Sequence, residues 1–222
     1  MNQPDSLRLS PLHDTYRDSV TEWAALAGMP VPRRIAGADF PVRLTDASAL
    51  PRCGCKGPGA AQWLAAQGLT IPAAYNTWAA TESGLIGRLA ATEFFIEDLR
   101  EGGAVPRIRQ ALARGARTDS GACYPVLRED AGLILSGPQA NDILLQTCNI
   151  DFAGLDLAPK PLVMTSMVGV SVLVIPQKLR QGMVYRICCD PTFGPYLWRT
   201  LLAIVREQGG AAASILDFDS SL

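Results

Sequence analysis

The sequence predicts an α+β fold built from repeated strand-strand-helix units, and two observations carry that prediction. The first is a spacing: a proline followed by hydrophobic residues at +2, +5 and +6 occurs four times. The sets are Pro58 with Ala60, Trp63 and Leu64; Pro106 with Ile108, Ala111 and Leu112; Pro138 with Ala140, Ile143 and Leu144; and Pro191 with Phe193, Tyr196 and Leu197. Those offsets put each trio on one face of a helix, and proline suits a first helical position because its missing N–H would have no partner there. The second is the stretch Cys53 to Leu69, which reads as a strand end, a tight turn and a short helix closed by Gly68. Its Gly57-Pro58 recurs as Gly137-Pro138, again after a strand-like segment. The prolines are unevenly spaced, which argues against a solenoid and for one or two closed α+β sandwiches.

Residues 1–34 are expected to be an N-terminal arm that orders only against something else, since the first 20 or so are polar and mixed in charge. Within it, Val20 to Leu26 is expected to make one or two helical turns. Ile35 to Leu44 carries the first strand signal, with Ser48 to Cys55 as its antiparallel neighbour leading into the Pro58 helix. Ile71 to Thr81 reads as a connection; Gly84 to Leu89 and Thr92 to Ile96 read as a strand pair, and Val105 to Arg114 as a helix closed by Gly115. The turn-forming residues 116–122 mark a boundary between halves, 35–118 and 119–210. Cys123 to Leu127 and Ala131 to Leu135 are expected to pair, followed by the Gly137-Pro138 helix ending near Cys148. Pro161 to Thr165, Val168 to Ile175 and Met183 to Cys188 complete the strands. Asp190 is placed as N-cap of a final helix from Pro191 to Gln208, stopped by Gly209-Gly210, and 211–222 form a tail without pattern.

A chain of 222 residues can bury a full core as one large domain or two small ones. Twenty basic residues against 21 acidic ones give a net charge of −1 and no block of like charges, so no electrostatic footprint for nucleic acid. Hydrophobic residues make up 48% and charged ones only 18%, which implies apolar surface covered by a partner. The charge-free run between Lys56 and Glu82 is broken by Pro58, Gly59, Gly68, Pro72 and Asn76, so it does not cross a membrane as a helix. The start of the chain lacks a basic segment followed by an apolar one, so the protein is expected to be cytoplasmic, with its six cysteines reduced.

The residue types that do chemistry are sparse. The one histidine, His13, falls in the expected arm, and no Gly-x-Ser-x-Gly turn exists to present a nucleophile. Cys123 reads as a buried structural thiol. Cys53, Cys55, Cys188 and Cys189 could ligate zinc or an iron–sulfur cluster, but adjacent strand residues face opposite ways and neither pair has Cys-x-x-Cys spacing. Lys56-Gly57-Pro58-Gly59 is a poor phosphate loop because proline removes one of the converging N–H groups. No Gly-x-Gly-x-x-Gly opens a helix to support a dinucleotide site. Glu129-Asp130 fits a solvated bend, and Trp63, Tyr196 and Trp198 fit core or interface packing rather than stacking on a flat cofactor.

The stretch Cys55-Lys-Gly-Pro-Gly-Ala-Ala-Gln-Trp-Leu64, then Leu133-Ile-Leu-Ser-Gly-Pro-Gln-Ala140, then Asp190-Pro-Thr-Phe-Gly-Pro-Tyr-Leu-Trp198 resembles the gamma subunit family of heterotetrameric sarcosine oxidase, which includes N-methylglutamate dehydrogenase subunits. The resemblance covers roughly residues 35–208 and rests on motif order. It implies a shortened form of the folate-binding aminomethyltransferase sandwich. It also implies a role as accessory chain beside alpha, beta and delta subunits that carry NAD, tetrahydrofolate, FAD, FMN and zinc. Such a complex oxidises the N-methyl group of a secondary amine and passes the one-carbon unit to tetrahydrofolate or releases formaldehyde. Lys56, Gly57, Pro58, Trp63, Leu64, Asp190, Pro191, Tyr196, Leu197 and Trp198 are then structural or interface residues, and no catalytic, cofactor or metal residue is assigned to this chain. Two other readings stay open: a freestanding folate-binding aminomethyltransferase-like protein, and a thiol-ligated metal module.

Overall fold

A computed structural model describes residues 8–35, 40–99, 102–180 and 182–218. In chain order the elements begin with α1 (His13–Tyr16), β1 (Val20–Leu26), β2 (Met29–Ile35), β3 (Arg43–Asp46), β4 (Arg52–Lys56) and α2 (Ala60–Ala66). There follow β5 (Thr77–Ala80), β6 (Gly84–Ala90), β7 (Glu93–Asp98), α3 (Ala104–Ala113), β8 (Ala116–Thr118) and β9 (Gly121–Val126). The rest are β10 (Ala131–Ser136), α4 (Ala140–Thr147), β11 (Val163–Met167), β12 (Val170–Leu179), β13 (Gly182–Cys189), α5 (Gly194–Glu207) and β14 (Ala211–Ala213).

The chain divides into two compact units at 49/50 and 129/130, not at 118/119. Unit 1 comprises Met1–Ala49, Asp130–Leu157 and Val163–Leu222; unit 2 comprises Leu50–Glu129 and Ala158–Leu162. Residues 116–122, expected to be a boundary, instead form the β8–β9 hairpin inside unit 2, because Asp119-Ser120 is a tight turn between two paired strands.

Unit 2 is a six-stranded sheet in the order β5-β6-β7-β4-β9-β8, with a core of Cys53, Cys55, Trp63, Leu64, Phe94, Ile96, Ile108 and Leu112. Unit 1 has the order β11-β12-β13-β10-β3-β14 and a core that includes Leu44, Leu133, Ile143, Val174, Tyr185, Leu197, Trp198 and Leu201. The repeat expected from the prolines is therefore real but longer. It reads strand, helix, three-stranded meander, helix, strand: β4-α2-β5-β6-β7-α3-β8 in one unit and β10-α4-β11-β12-β13-α5-β14 in the other. The slot between first and last strand is filled by β9 in unit 2 and by β3 in unit 1.

That arrangement corrects two expected pairings. β3 and β4 are not neighbours: β3 lies antiparallel to β10 and parallel to β14, while β4 lies antiparallel to β7 and β9. Likewise β9 and β10 do not pair, since each completes a different unit's sheet. Residues 47–51 and 127–130 carry the chain between units rather than turning a hairpin.

Three further expectations change. Val20–Leu26 is a strand, not a helix: Ala27 and Gly28, both at positive φ, form a two-residue hairpin turn that pairs it with β2, and Pro30 and Pro32 make β2 suited to an edge. The described part of the expected arm is folded, with Leu12, His13 and Tyr16 buried in unit 1. The described part of the expected tail supplies β14, which runs beside β3, and Ser214, whose hydroxyl donates to the Pro32 carbonyl. The first strand expected over Ile35 to Leu44 contains residues 36–39, which lie outside the described residues; strand geometry is found at Ile35 and from Arg43. Residues 1–7 of the arm and 219–222 of the tail also lie outside. Thr77–Ala80, read as connection, is the edge strand β5.

Candidate functional site

The ten residues singled out by sequence fall into two groups. Lys56, Gly57, Pro58, Trp63 and Leu64 lie on the β4–α2 turn-helix of unit 2; Asp190, Pro191, Tyr196, Leu197 and Trp198 lie on the β13–α5 turn-helix of unit 1. Trp63, Leu64, Leu197 and Trp198 point into the cores, while Lys56, Pro58, Asp190 and Tyr196 are exposed.

The first turn is shaped by a close approach. Gly57 has φ +132°, and a Cβ there would sit 2.3 Å from the Ala122 carbonyl oxygen of β9. Gly137 repeats this in unit 1, with φ +117° and a Cβ position 2.1 Å from the Pro41 carbonyl oxygen. Gly57 thus lets its strand-to-helix turn lie against β9, and Gly137 lets its turn lie against the segment that leads into β3. The turn is no anion cradle: Gly57 N–H donates to Thr92, Gly59 N–H to Ala122 and Ala60 N–H to Gly57, and Pro58 has none. Pro58 lies ahead of α2, with Gly59 as the N-cap residue.

The inward registers counted from Pro58 and Pro138 match the buried faces in full. Pro106 lies inside the first turn of α3 rather than at its start, with Val105, Ile108 and Leu112 buried. The register from Pro191 is displaced by one residue. Phe193 and Tyr196 are 54% and 51% exposed, and the buried face is Gly194, Leu197, Trp198 and Leu201. The cause is a turn over Pro191–Phe193. Asp190 Oδ1 accepts Thr192 N–H (2.9 Å) and the Thr192 hydroxyl (2.6 Å), and Phe193 N–H donates to the Asp190 carbonyl. Asp190 therefore organises that turn and is not the N-cap, which is Phe193. Those hydrogen bonds lower the Asp190 carboxyl below its ordinary range. Tyr196 Oη donates to the Val168 carbonyl at the β11–β12 turn, so its ring lies along the surface of unit 1.

Three buried carboxylates, Asp46, Glu97 and Asp98, escaped the sequence reading; Glu97 pairs with the buried Arg52 guanidinium at 2.5 Å. Asp98 caps α3 from the end of β7: Oδ1 accepts Ala104 N–H (3.0 Å) and the Ser83 hydroxyl (2.7 Å), and Oδ2 accepts Val105 N–H (2.8 Å). Beside it a cleft of about 540 Å³ is lined by Leu69, Thr81, Glu82, Ser83, Gly103 and Arg107. In unit 1, Asp46 Oδ2 accepts the hydroxyls of Ser10 and Tyr16 (2.7 Å for Tyr16), and Oδ1 accepts Ser48 N–H (2.8 Å). Burial, and then the Asp46 charge, push the Tyr16 phenol well above its ordinary range. His13 stacks 5.0 Å from Trp23 in the same cluster. Apart from the Asp46–Ser48 bond, which spans two positions, the links to Asp46 and Asp98 act across 6 to 36 positions of sequence, so residue type was the signal for them.

All six cysteines are buried free thiols. Cys53 and Cys55 share one face of β4, within the core of unit 2; burial pushes Cys53 up to about 12 and raises Cys55 and Cys123 as well. Burial pushes Cys189 up to about 12. Protonated thiols in a core are poor nucleophiles and poor metal ligands. Among the described residues no three His, Cys, Asp or Glu side chains gather as a metal site. No helix among them is long and apolar enough to cross a membrane.

The doubled strand-helix-meander-helix-strand topology defines an aminomethyltransferase-related fold. Superposition on glycine cleavage system aminomethyltransferase T from Bartonella henselae gives a TM-score of 0.69 at 17% identity, covering 95% of this chain and 60% of that one. The chain thus spans about 60% of the length of that protein. Superposition on a chain of heterotetrameric sarcosine oxidase from Corynebacterium sp. U-96, solved in complex with pyrrole 2-carboxylate, gives 0.62 at 23% identity, covering 93% of this chain and 98% of that one. The fold is therefore of the kind that the sarcosine oxidase gamma resemblance implied. No protein-family model matches the sequence. No curated protein matches it either.

Proposed function

We infer that this chain is the gamma-type accessory subunit of a heterotetrameric, flavin-dependent sarcosine oxidase-like complex. The complex oxidatively demethylates an N-methyl secondary amine, and the one-carbon unit passes to tetrahydrofolate or leaves as formaldehyde. FAD, FMN, NAD, tetrahydrofolate and zinc belong to the alpha, beta and delta partners, and this chain buttresses the assembly. The observation that supports the reading is one of length: the chain matches a sarcosine oxidase chain nearly end to end, at 98%, but only 60% of the aminomethyltransferase. The sparse chemistry agrees with it, since the thiols are buried and the backbone donors of the Gly57-Pro58 turn are spent internally. Co-expression with the flavoprotein chains tests it: a stoichiometric complex is expected, and a chain that stays soluble and monomeric beside them refutes it.

A second reading, a freestanding folate-binding aminomethyltransferase-like protein, draws on the higher TM-score to aminomethyltransferase T. Calorimetry of the isolated chain with tetrahydrofolate separates the two. The accessory-subunit reading predicts no heat of binding, and saturable binding favours the second.

A further inference from the structure

The two units repeat one another strand for strand, so β5 and β11 hold the same place, each at an edge of its sheet. Their outer sides are treated differently. In unit 2 the segment 158–162 lies along β5 as an added strand. Pro161 sits opposite Thr77 in antiparallel register, Trp78 N–H donates to the Lys160 carbonyl (2.9 Å), and Leu162 N–H donates to the Asn76 carbonyl (2.7 Å). The Lys160 ammonium lies 5.0 Å over the Trp78 ring, and Trp78 is left 8% exposed. The matching segment of the first repeat, 71–76, gives β11 no such cover. It stays on unit 2, where the Arg88 guanidinium donates to the Pro72 and Ala73 carbonyls and lies 5.2 Å from the centre of the Tyr75 ring.

The outer edge of β11 is therefore open. Val168 and Gly169, both at positive φ, make a two-residue turn that closes on the pair Met167 and Val170. Antiparallel alternation from that pair directs the backbone groups of Val163 and Thr165 toward β12, and those of Met164 and Ser166 to the other side. Only the far end is covered, where Cys148 bridges Met167 and Val168 N–H donates to the Thr147 carbonyl. Among the described residues no hydrogen bond reaches the Met164 or Ser166 backbone across this edge. Met164 stands outside the core cluster of its unit, as Trp78 does in unit 2, but it is 56% exposed. β11 has no proline, lysine or bulge, the usual devices that keep an edge from pairing.

We propose that the edge of β11 receives an extended segment of a partner subunit as a further antiparallel strand, with an apolar side chain that covers Met164. A row of backbone donors and acceptors is satisfied by another backbone. The strand on β5 sets the chemistry of the occupant: a short stretch of chain held by two backbone hydrogen bonds, with a side chain laid over the residue beneath. A second copy would meet β11 with β11 across a two-fold axis, one short edge against another, which falls well below the roughly 1,000 Å² that a stable contact buries. A different subunit can embed its strand in a wider interface. The proposal deepens the accessory-subunit reading and rests on it.

The test co-expresses the full chain with the flavoprotein subunits and measures amide hydrogen exchange in the isolated chain and in the assembled complex. The Met164 and Ser166 amides should exchange freely in the isolated chain and be protected at least about 100-fold in the complex, while the Trp78 amide is protected in both. Ser166→Pro removes an outward donor without touching the β12 ladder and should weaken assembly by about tenfold, with Ser166→Ala assembling as wild type. If the complex forms while both amides exchange as in the isolated chain, this edge is wrong and the accessory-subunit reading stands. The same conclusion follows if Ser166→Pro folds and assembles like wild type. If wild type does not assemble, both fall. A homodimer of the isolated chain that protects the two amides assigns the edge to a second copy and overturns the proposal. Where Ser166→Pro fails to fold, the exchange measurement on wild type decides alone.

Discussion

Replacing Asp98 with alanine is expected to destabilise the protein by about 2–4 kcal/mol. The carboxylate supplies the acceptors for Ala104 N–H and Val105 N–H at the start of α3 and for the Ser83 hydroxyl. Losing a helix cap costs about 1 kcal/mol. Leaving the buried Val105 N–H without a partner adds about 1–3 kcal/mol. The Ser83 hydroxyl, 3.3 Å from Ala104 N, retains part of the second contact and holds the sum below the two losses fully doubled. Against a typical domain stability of about 5–15 kcal/mol this is a large fraction. Asp98→Asn keeps one acceptor oxygen and should cost about half as much as alanine. Urea unfolding followed by tryptophan fluorescence measures both, with Trp63 and Trp78 reporting on unit 2. A loss under about 1 kcal/mol for the alanine variant would refute the idea that one distant carboxylate anchors α3.

Trp63→Ala should cost about 3–5 kcal/mol in the same assay, since the indole is buried in the core of unit 2, and should lower yield and assembly rather than turnover. Gly137→Ala places a Cβ 2.1 Å from the Pro41 carbonyl oxygen at φ +117° and should lower the melting temperature by several degrees, whereas Gly68→Ala, with nothing within 4 Å, should carry only the smaller backbone penalty of its positive φ. A thiol reagent at pH 8 should find almost no reactive cysteine in native protein and all six after denaturation. The folded pKa of Cys53 and Cys189 is raised from 9.0 to about 12, so the folded state holds protons that the unfolded state releases; stability is full below pH 9 and falls as pH rises toward 12. Circular dichroism melts across that range check the sign.

The helices were legible because their signals are local. Gly-Pro followed by a small residue and two hydrophobes fixed α2 and α4 and their buried faces, and Gly115 and Gly209 marked two ends. Val20–Leu26 is a strand rather than the expected helical turns because the Ala27-Gly28 turn folds it back onto β2, a partner that its own residues do not announce. Pairing was the least legible feature. β3 finds β10 some 90 residues on, and hairpin logic could not foresee that. Of the candidate residues, the core members could be read from hydrophobic period, but the Asp98 and Asp46 networks could not, since the Ser83, Tyr16 and Ser10 hydroxyls they accept come from 15 to 36 positions away.

Native mass spectrometry of the protein purified from its own cells under gentle conditions tests the central claim most directly. The account predicts a four-chain particle carrying bound flavin, with this chain present once and flavin-free when released. A single chain of 23.7 kDa, or one that retains its own bound folate or flavin after separation, would contradict it.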